Sequence, residues 1–294
     1  MNYRRYCALI GLAALWGANP ANAQSEGTTA AVQPPVQAGP PASVFDGDWV
    51  TLGVGVGVGP SYAGSDDYVL IPAPVIQGKI GGIGVTPRPA GLALNVLDDV
   101  GSDKIGLSFG PTFRLRNDRA DQIEDEVVKL AGELDRAFEI GVAAGISTSG
   151  VLNPFDSLSV NVDTRWDVAG AHDGMVVEPS VTYFTPLNRG LAASLTFSAA
   201  YADDDFNDYY FTVDADQSLA SGLAPFQADG GFNSVGTNLL LAADFDGNLL
   251  NGGFSAVVIT GYSRLLGDAK NTPYTSIRGS ADQFIGIVGI AYTF

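Results

Sequence analysis

His172 is the only histidine in the chain and stands beside Asp173 in the run AHDG. A serine within reach of such an imidazole would give acyl-transfer chemistry, with the histidine taking the hydroxyl proton. The nearest serine downstream, Ser180, lies eight residues on, and Ser159 precedes it on another segment. A histidine next to Asp173 and Gly174 between two alternating segments is better read as part of a turn. One histidine and no cysteine after Cys7 leave no metal-ligand set, so neither a catalytic residue nor a cofactor is expected.

Two other patterns invite chemistry. Gly53, Gly55, Gly57 and Gly59 alternate with valine in TLGVGVGVGPSYAGSDDY, but Val58 and Pro60 spoil the G-x-G-x-x-G spacing and no helix-forming run follows to cradle a phosphate. Acidic clusters at Asp66–Asp67, Glu124–Glu126, Asp203–Asp205 with Asp208, and Asp214 with Asp216 could recruit Ca²⁺ or Mg²⁺ beside lipopolysaccharide phosphates. None has the twelve-residue loop spacing of an EF-hand, and solvated loop charge is the preferred reading.

The elements that carry these residues share a period of two. In LAASLTFSAAYA, Leu191, Ala193, Leu195, Phe197 and Tyr201 fall on one face and small or polar residues on the other. In DSLSVNVDTRWDV, Leu158, Val160, Val162, Trp166 and Val168 oppose Ser159, Asn161, Asp163, Arg165 and Asp167. The segments around residues 104–116, 138–147, 176–185, 234–244, 254–262 and 284–294 repeat the pattern. They run to about ten residues or more, longer than sandwich strands and long enough to cross a bilayer when tilted. Trp49, Tyr183, Tyr201, Tyr262 and Tyr292 mark strand ends, where interfacial aromatics belong. The expected fold is therefore all-β, a transmembrane antiparallel β-barrel.

Counting back from a periplasmic C-terminus puts the long connections 117–136, 203–232 and 267–281 outside and the short ones 186–190 and 246–252 inside, the asymmetry of bacterial barrels. Parity then requires an even number of strands before Lys104, met by Trp49–Gly59, Val69–Gly78, a short Lys79–Thr86 and Gly91–Leu97. That makes about twelve strands, or ten if two of these are one bent strand, because prolines at 72, 74, 87 and 89 interrupt them. Within 117–136, Ile123, Val127, Leu130 and Leu134 recur near helical spacing and predict a short loop helix.

Residues 1–23 have the charged, apolar, small-x-small order of a secretory signal, cleaved before Gln24. Residues 24–44 are rich in proline, glutamine and alanine and read as a disordered leader; residues 45–294 form the barrel. Removing Arg4 and Arg5 takes the basic residues from 15 to 13 against 32 acids, a net charge of −19, which disfavours nucleic acid. The expected location is the outer membrane of a Gram-negative cell, with its lipids and lipopolysaccharide as surroundings.

If alternation holds, Arg114, Arg116, Glu139, Asp163, Arg165, Asp167 and Glu178 point into the lumen. They would either pair and plug it or line a narrow selective channel. The chain ends in GIAYTF, where Gly289, Tyr292 and Phe294 resemble the C-terminal insertion signal of outer-membrane barrels.

Taken in order, GVGVGPSYAGSDDY, DVAGAHDG, YADDDFNDYYFTV with SLASGL, YSRLLGDA and the terminal AYTF resemble the MipA/OmpV family of outer-membrane proteins. Thr212 and Thr272 depart from the residues expected at their positions. The resemblance implies a barrel without enzymatic activity. It also implies, by family alone, a scaffold joining a lytic transglycosylase to a penicillin-binding protein in peptidoglycan growth; other members look like adhesins or porin-like proteins.

Overall fold

The computed structural model describes residues 43–97 and 104–294. The expected signal segment, residues 1–23, and residues 24–42 of the expected leader lie outside the described residues.

Thirteen strand segments run in chain order: β1 (Trp49–Pro60), β2 (Tyr68–Pro72), β3 (Val75–Ile80), β4 (Ile83–Arg88), β5 (Gly91–Asn95), β6 (Ile105–Arg116), β7 (Ala137–Ser149), β8 (Ser157–Asp167), β9 (Met175–Asn188), β10 (Leu191–Ala202), β11 (Gly231–Asp244), β12 (Gly253–Leu265) and β13 (Asp282–Thr293). All pairings are antiparallel, and β13 returns to β1 over Thr51↔Thr293 to Val58↔Gly286, closing the sheet. β2 pairs with Val56–Pro60 and β3 with Trp49–Gly53 in one continuous register. Pro74, which has no N–H to give the ladder, merely interrupts a single wall strand. The barrel thus has twelve wall strands.

One expected boundary shifts. Lys79–Thr86 is not a strand of its own: Gly81 and Gly82 take φ of +58° and +82° and turn the chain, so Lys79 and Ile80 finish β3 and Ile83 starts β4. Two adjacent glycines supply a left-handed turn that few other residues adopt without strain.

Burial follows the alternation. On β1, Leu52, Val54, Val56 and Val58 face outward and are 47–67% exposed, while the glycines face inward. Such an apolar exterior is stable only against lipid, because a closed barrel satisfies its backbone internally while its outer side chains meet hydrocarbon. Aromatic pairs bracket this band: Tyr201 with Phe232 and Tyr262 with Phe284 at the outer end, Phe254 with Tyr292 and Phe294 at the inner end. On β13, Phe284 and Tyr292 stand eight residues apart. At ~3.4 Å per residue and ~40° of tilt this is about 20 Å along the membrane normal. Trp49, expected in the inner girdle, instead points inward: it is buried and meets Phe45 edge-on at 4.8 Å.

The outer mouth carries a folded cap. Helices α1 (Glu126–Leu130), α2 (Asp204–Phe211), α3 (Ala215–Ser221), α4 (Gly267–Asn271) and α5 (Pro273–Ser276) come from the long connections. One apolar cluster joins Phe206, Tyr210 and Phe211 to Leu265 and Ala269; another joins Tyr62, Ile123, Val128, Val213 and Tyr274. Several loop acids are helix caps, since Asp125, Asp203 and Asp214 accept hydrogen bonds from the first-turn N–H groups of α1, α2 and α3. The expected loop helix is α1, but its buried residue is Val128, not Leu130, which is 62% exposed: the helix is one short turn and the face it buries is set by the cap.

Candidate functional site within the lumen

Below the cap, β6 to β9 carry charged residues at inward positions. Asp163 lies directly opposite Glu178, and Arg114 opposite Glu139. Two carboxylates facing each other in a low-dielectric interior need cations between them. Arg165 supplies most of that charge: its guanidinium reaches Glu139 Oε2 at 3.2 Å, Asp163 Oδ2 at 3.2 Å, and Glu178 Oε2. Arg165 is 1% exposed and Glu139 0%. Arg116 Nε donates to Glu139 at 2.6 Å and Arg114 Nη1 to Glu178 at 2.7 Å.

Six of the seven expected lumen residues, Arg114, Arg116, Glu139, Asp163, Arg165 and Glu178, therefore meet in one network. Asp167 also faces inward but serves the backbone, accepting from Ala169, Ala171 and His172 N–H at 2.9, 2.6 and 3.0 Å. It shapes the 168–174 turn that holds His172.

Two members could not be read from the pattern. Arg88, at the end of β4, donates to Asp163 from Nε at 2.7 Å and from Nη2 at 3.2 Å; the prolines on either side of it concealed the strand that points it inward. His172 is buried, with Nε2 3.4 Å from Glu139 Oε1 and Nδ1 accepting from Gly174 N–H at 3.0 Å. Its ring packs against Phe206 at 4.9 Å and Tyr210 at 5.6 Å. Arg116 stacks over the same Phe206 ring at 4.8 Å, so the histidine and this arginine tie the ion network to the cap. The network and the rings above it occupy the upper lumen.

Further down, the lumen has two unlike walls. β8 to β10 present Asn161, Ser180, Thr182 and Thr196, and β11 to β13 present Leu240, Val257, Ile259, Ile285 and Ile287. These residues keep intermediate exposure although they face inward, so space remains between the walls. The glycines of β1 make that possible: a Cβ on Gly57 would run into Ile287 Cγ1 at 2.7 Å and the Gly286 carbonyl at 2.8 Å. Among the described residues no group of three or more His, Cys, Asp or Glu converges on a metal position.

At the chain terminus, Gly289 faces the lumen opposite Gly55, while Tyr292 and Phe294 face lipid with rings 4.6 Å apart. The Phe294 N–H donates to Val50 O at 2.9 Å, extending the closing ladder to the last residue.

A family model described as "MltA-interacting protein MipA" matches residues 52–294. No curated protein matches the chain. Among solved structures it is similar to an outer membrane channel from Pseudomonas putida F1, at 13% identity and a TM-score of 0.43, covering 90% of this chain and 100% of that one. It is also similar to the outer membrane protein OprD from Pseudomonas aeruginosa, at 13% identity and a TM-score of 0.36, covering 85% and 66%. A third is the Pseudomonas putida toluene transporter TodX, at 8% identity and a TM-score of 0.32, covering 84% and 89%.

Proposed function

The chain belongs to the MipA family, and from that premise we propose that it is a non-catalytic barrel of the outer membrane that holds a lytic transglycosylase, and through it a penicillin-binding protein, at the periplasmic face. The observation that carries this reading is the buried Arg165 hub with its three carboxylates, capped by Phe206 and Tyr210. A lumen filled in this way at its outer end offers no straight aqueous path. On this reading the partner enzymes meet the barrel's inner turns. His172 packs into the cap against Phe206 and Tyr210, and unaltered lipid A in a His172→Ala strain is the outcome expected of a non-catalytic barrel.

The test is affinity capture of peptidoglycan hydrolases and synthases from envelope extracts on folded, detergent-solubilised protein. Retention of a lytic transglycosylase supports the scaffold; a clean negative with protein that still shows heat-modifiable migration rejects it. A second reading, a narrow channel for small solutes, is favoured by the unfilled middle of the lumen. Steady conductance of the wild-type barrel in a planar bilayer would select it.

A further inference from the structure

The wall of the barrel is not paired all the way round. Among the described residues β2 forms a strand ladder with β1 alone, and β3 pairs with β4 over Gly78–Ile80 against Ile83–Val85. Above those rungs, Val75–Gln77 and Thr86–Arg88 would continue the ladder, but Pro74 on one side and Pro87 and Pro89 on the other have no N–H to donate. The β4–β5 hairpin then stops short: Gly91 is level with Arg114, and Ala90 O accepts from Leu115 N–H at 3.0 Å. A window results. Its sides are β2 with upper β3, and the hairpin tip with β6. Its sill is the short β3–β4 ladder, and its top is closed by the Ala63 N–H bond to Asp118 Oδ1 at 2.8 Å.

The level of this window decides what reaches it. Tyr68, at the top of β2, accepts through its hydroxyl oxygen from the Phe284 N–H of β13 at 3.1 Å, in the outer girdle. Leu70 and Ile76, further down, are exposed on the exterior at 67% and 46%. The gap therefore opens below the outer girdle, where its surroundings are hydrocarbon chains and only molecules dissolved in lipid arrive. Inside, Val69, Ile71 and Val75 line one edge by alternation, and Ile71 meets the bare β1 face beside Ile285 and Ile287. Across the lumen stand Asn161, Ser180 and Thr182. An apolar wall facing a polar wall suits a ligand with a chain on one side and a head on the other.

We propose that this window admits single-chain amphiphiles from the outer leaflet into the lumen, with the hydrocarbon chain against Ile71, Ile285 and Ile287 and the polar head toward Arg88 and the hydroxyl-bearing wall. Because the cap and the Arg165 network close the outer mouth, the side entry is the route by which lipid reaches that space. The inference does not depend on the scaffold reading.

The chain from Gln24 to Phe294, refolded into phosphatidylcholine vesicles containing palmitic acid with a terminal diazirine, is irradiated and its adducts mapped by mass spectrometry. Expected are adducts on lumen-facing Ile71, Ile285 or Ile287 in addition to those on lipid-facing Val54 and Val56. Ala73→Trp, which places a large ring in the opening, should lose the lumen adducts and keep the lipid-facing ones, with heat-modifiable migration verifying the fold; Ala73→Leu takes its place if the tryptophan variant does not fold. Adducts confined to lipid-facing residues in the wild type overturn the proposal. So do lumen adducts that persist undiminished in a folded plugged variant, since the probe would then enter from the periplasmic end.

Discussion

Gly141 lies directly opposite Arg165 across the β7–β8 ladder, and a Cβ on it would strike the Thr164 carbonyl oxygen and stand 2.6 Å from Arg165 Cα. A bare backbone at this point lets the two strands approach where the most deeply buried arginine of the ion network is anchored. The glycine is thus part of the ion network without carrying a charge.

Gly141→Ala should push β7 away from β8 and loosen the Arg165 contacts. Overpacking of a tight interior typically costs about 1–3 kcal/mol. The expected readout is a lower temperature for the shift from folded to unfolded migration, with the barrel still assembled.

Arg165→Ala leaves Glu139, Asp163 and Glu178 without their common partner. Removing one member of a buried ion pair typically costs about 3–5 kcal/mol, and the additional Glu139→Gln change should restore part of it. In planar bilayers the wild type is expected to be silent and Arg165→Ala to conduct, because removing the side chain opens the upper lumen to water. A conducting wild type would contradict the plugged reading.

The cap has its own electrostatic tie. Arg278 Nη2 donates to Asp125 Oδ2 at 2.7 Å, joining two connections 153 residues apart in sequence. Burial alone would raise the Asp125 carboxyl, but the Arg278 guanidinium and the Val127 and Val128 N–H groups outweigh it and hold it below the usual carboxylate range. A depressed folded-state pKa gives a contribution fully present above the unfolded-state pKa and lost as pH falls through the folded one. Protease resistance of the 117–136 connection should therefore hold at neutral pH and fall in strong acid. Asp125→Asn should lower that resistance at neutral pH and flatten its acid dependence.

Deleting Phe294 removes an exposed ring, the 4.6 Å contact with Tyr292 and the ladder bond to Val50. The yield of heat-modifiable barrel in the outer membrane should drop several-fold, while the small surviving folded fraction should melt near the wild type. A normal yield would show that the terminal aromatic is not an insertion signal here.

Much of this architecture is legible in the residues, because a strand that faces lipid on one side and a lumen on the other must alternate. Leu158 to Asp167 shows it most cleanly: hydrocarbon on one side, hydroxyls and charges on the other, and hence Asp163 and Arg165 inward. Legibility fails where periodicity is broken for local reasons. Prolines 87 and 89 hide the inward aim of Arg88. Gly81 and Gly82 move a strand boundary by a few residues, and Trp49 obeys the parity of β1 rather than the habit of terminal aromatics. The cap is harder still. Its helices are four to eight residues long, too short to announce themselves by period, and they are held by packing between segments far apart in sequence. The meeting of His172 with Glu139 and Phe206 depends on that packing and leaves no trace in local spacing.

The ladder between β1 and β13 has a kinetic meaning. Thr51 and Thr293 touch through their hydroxyls at 2.8 Å although 242 residues separate them. The cylinder cannot close before β13 is available: β1 pairs early with β2 and β3 on one edge, while its other edge waits for β13. Loop-closure entropy is met before the final contact rewards it, the condition for slow, high-contact-order folding. Until then β1 and β13 each keep an edge with unpaired backbone groups, so the unclosed chain is more prone to edge-to-edge association than the finished barrel.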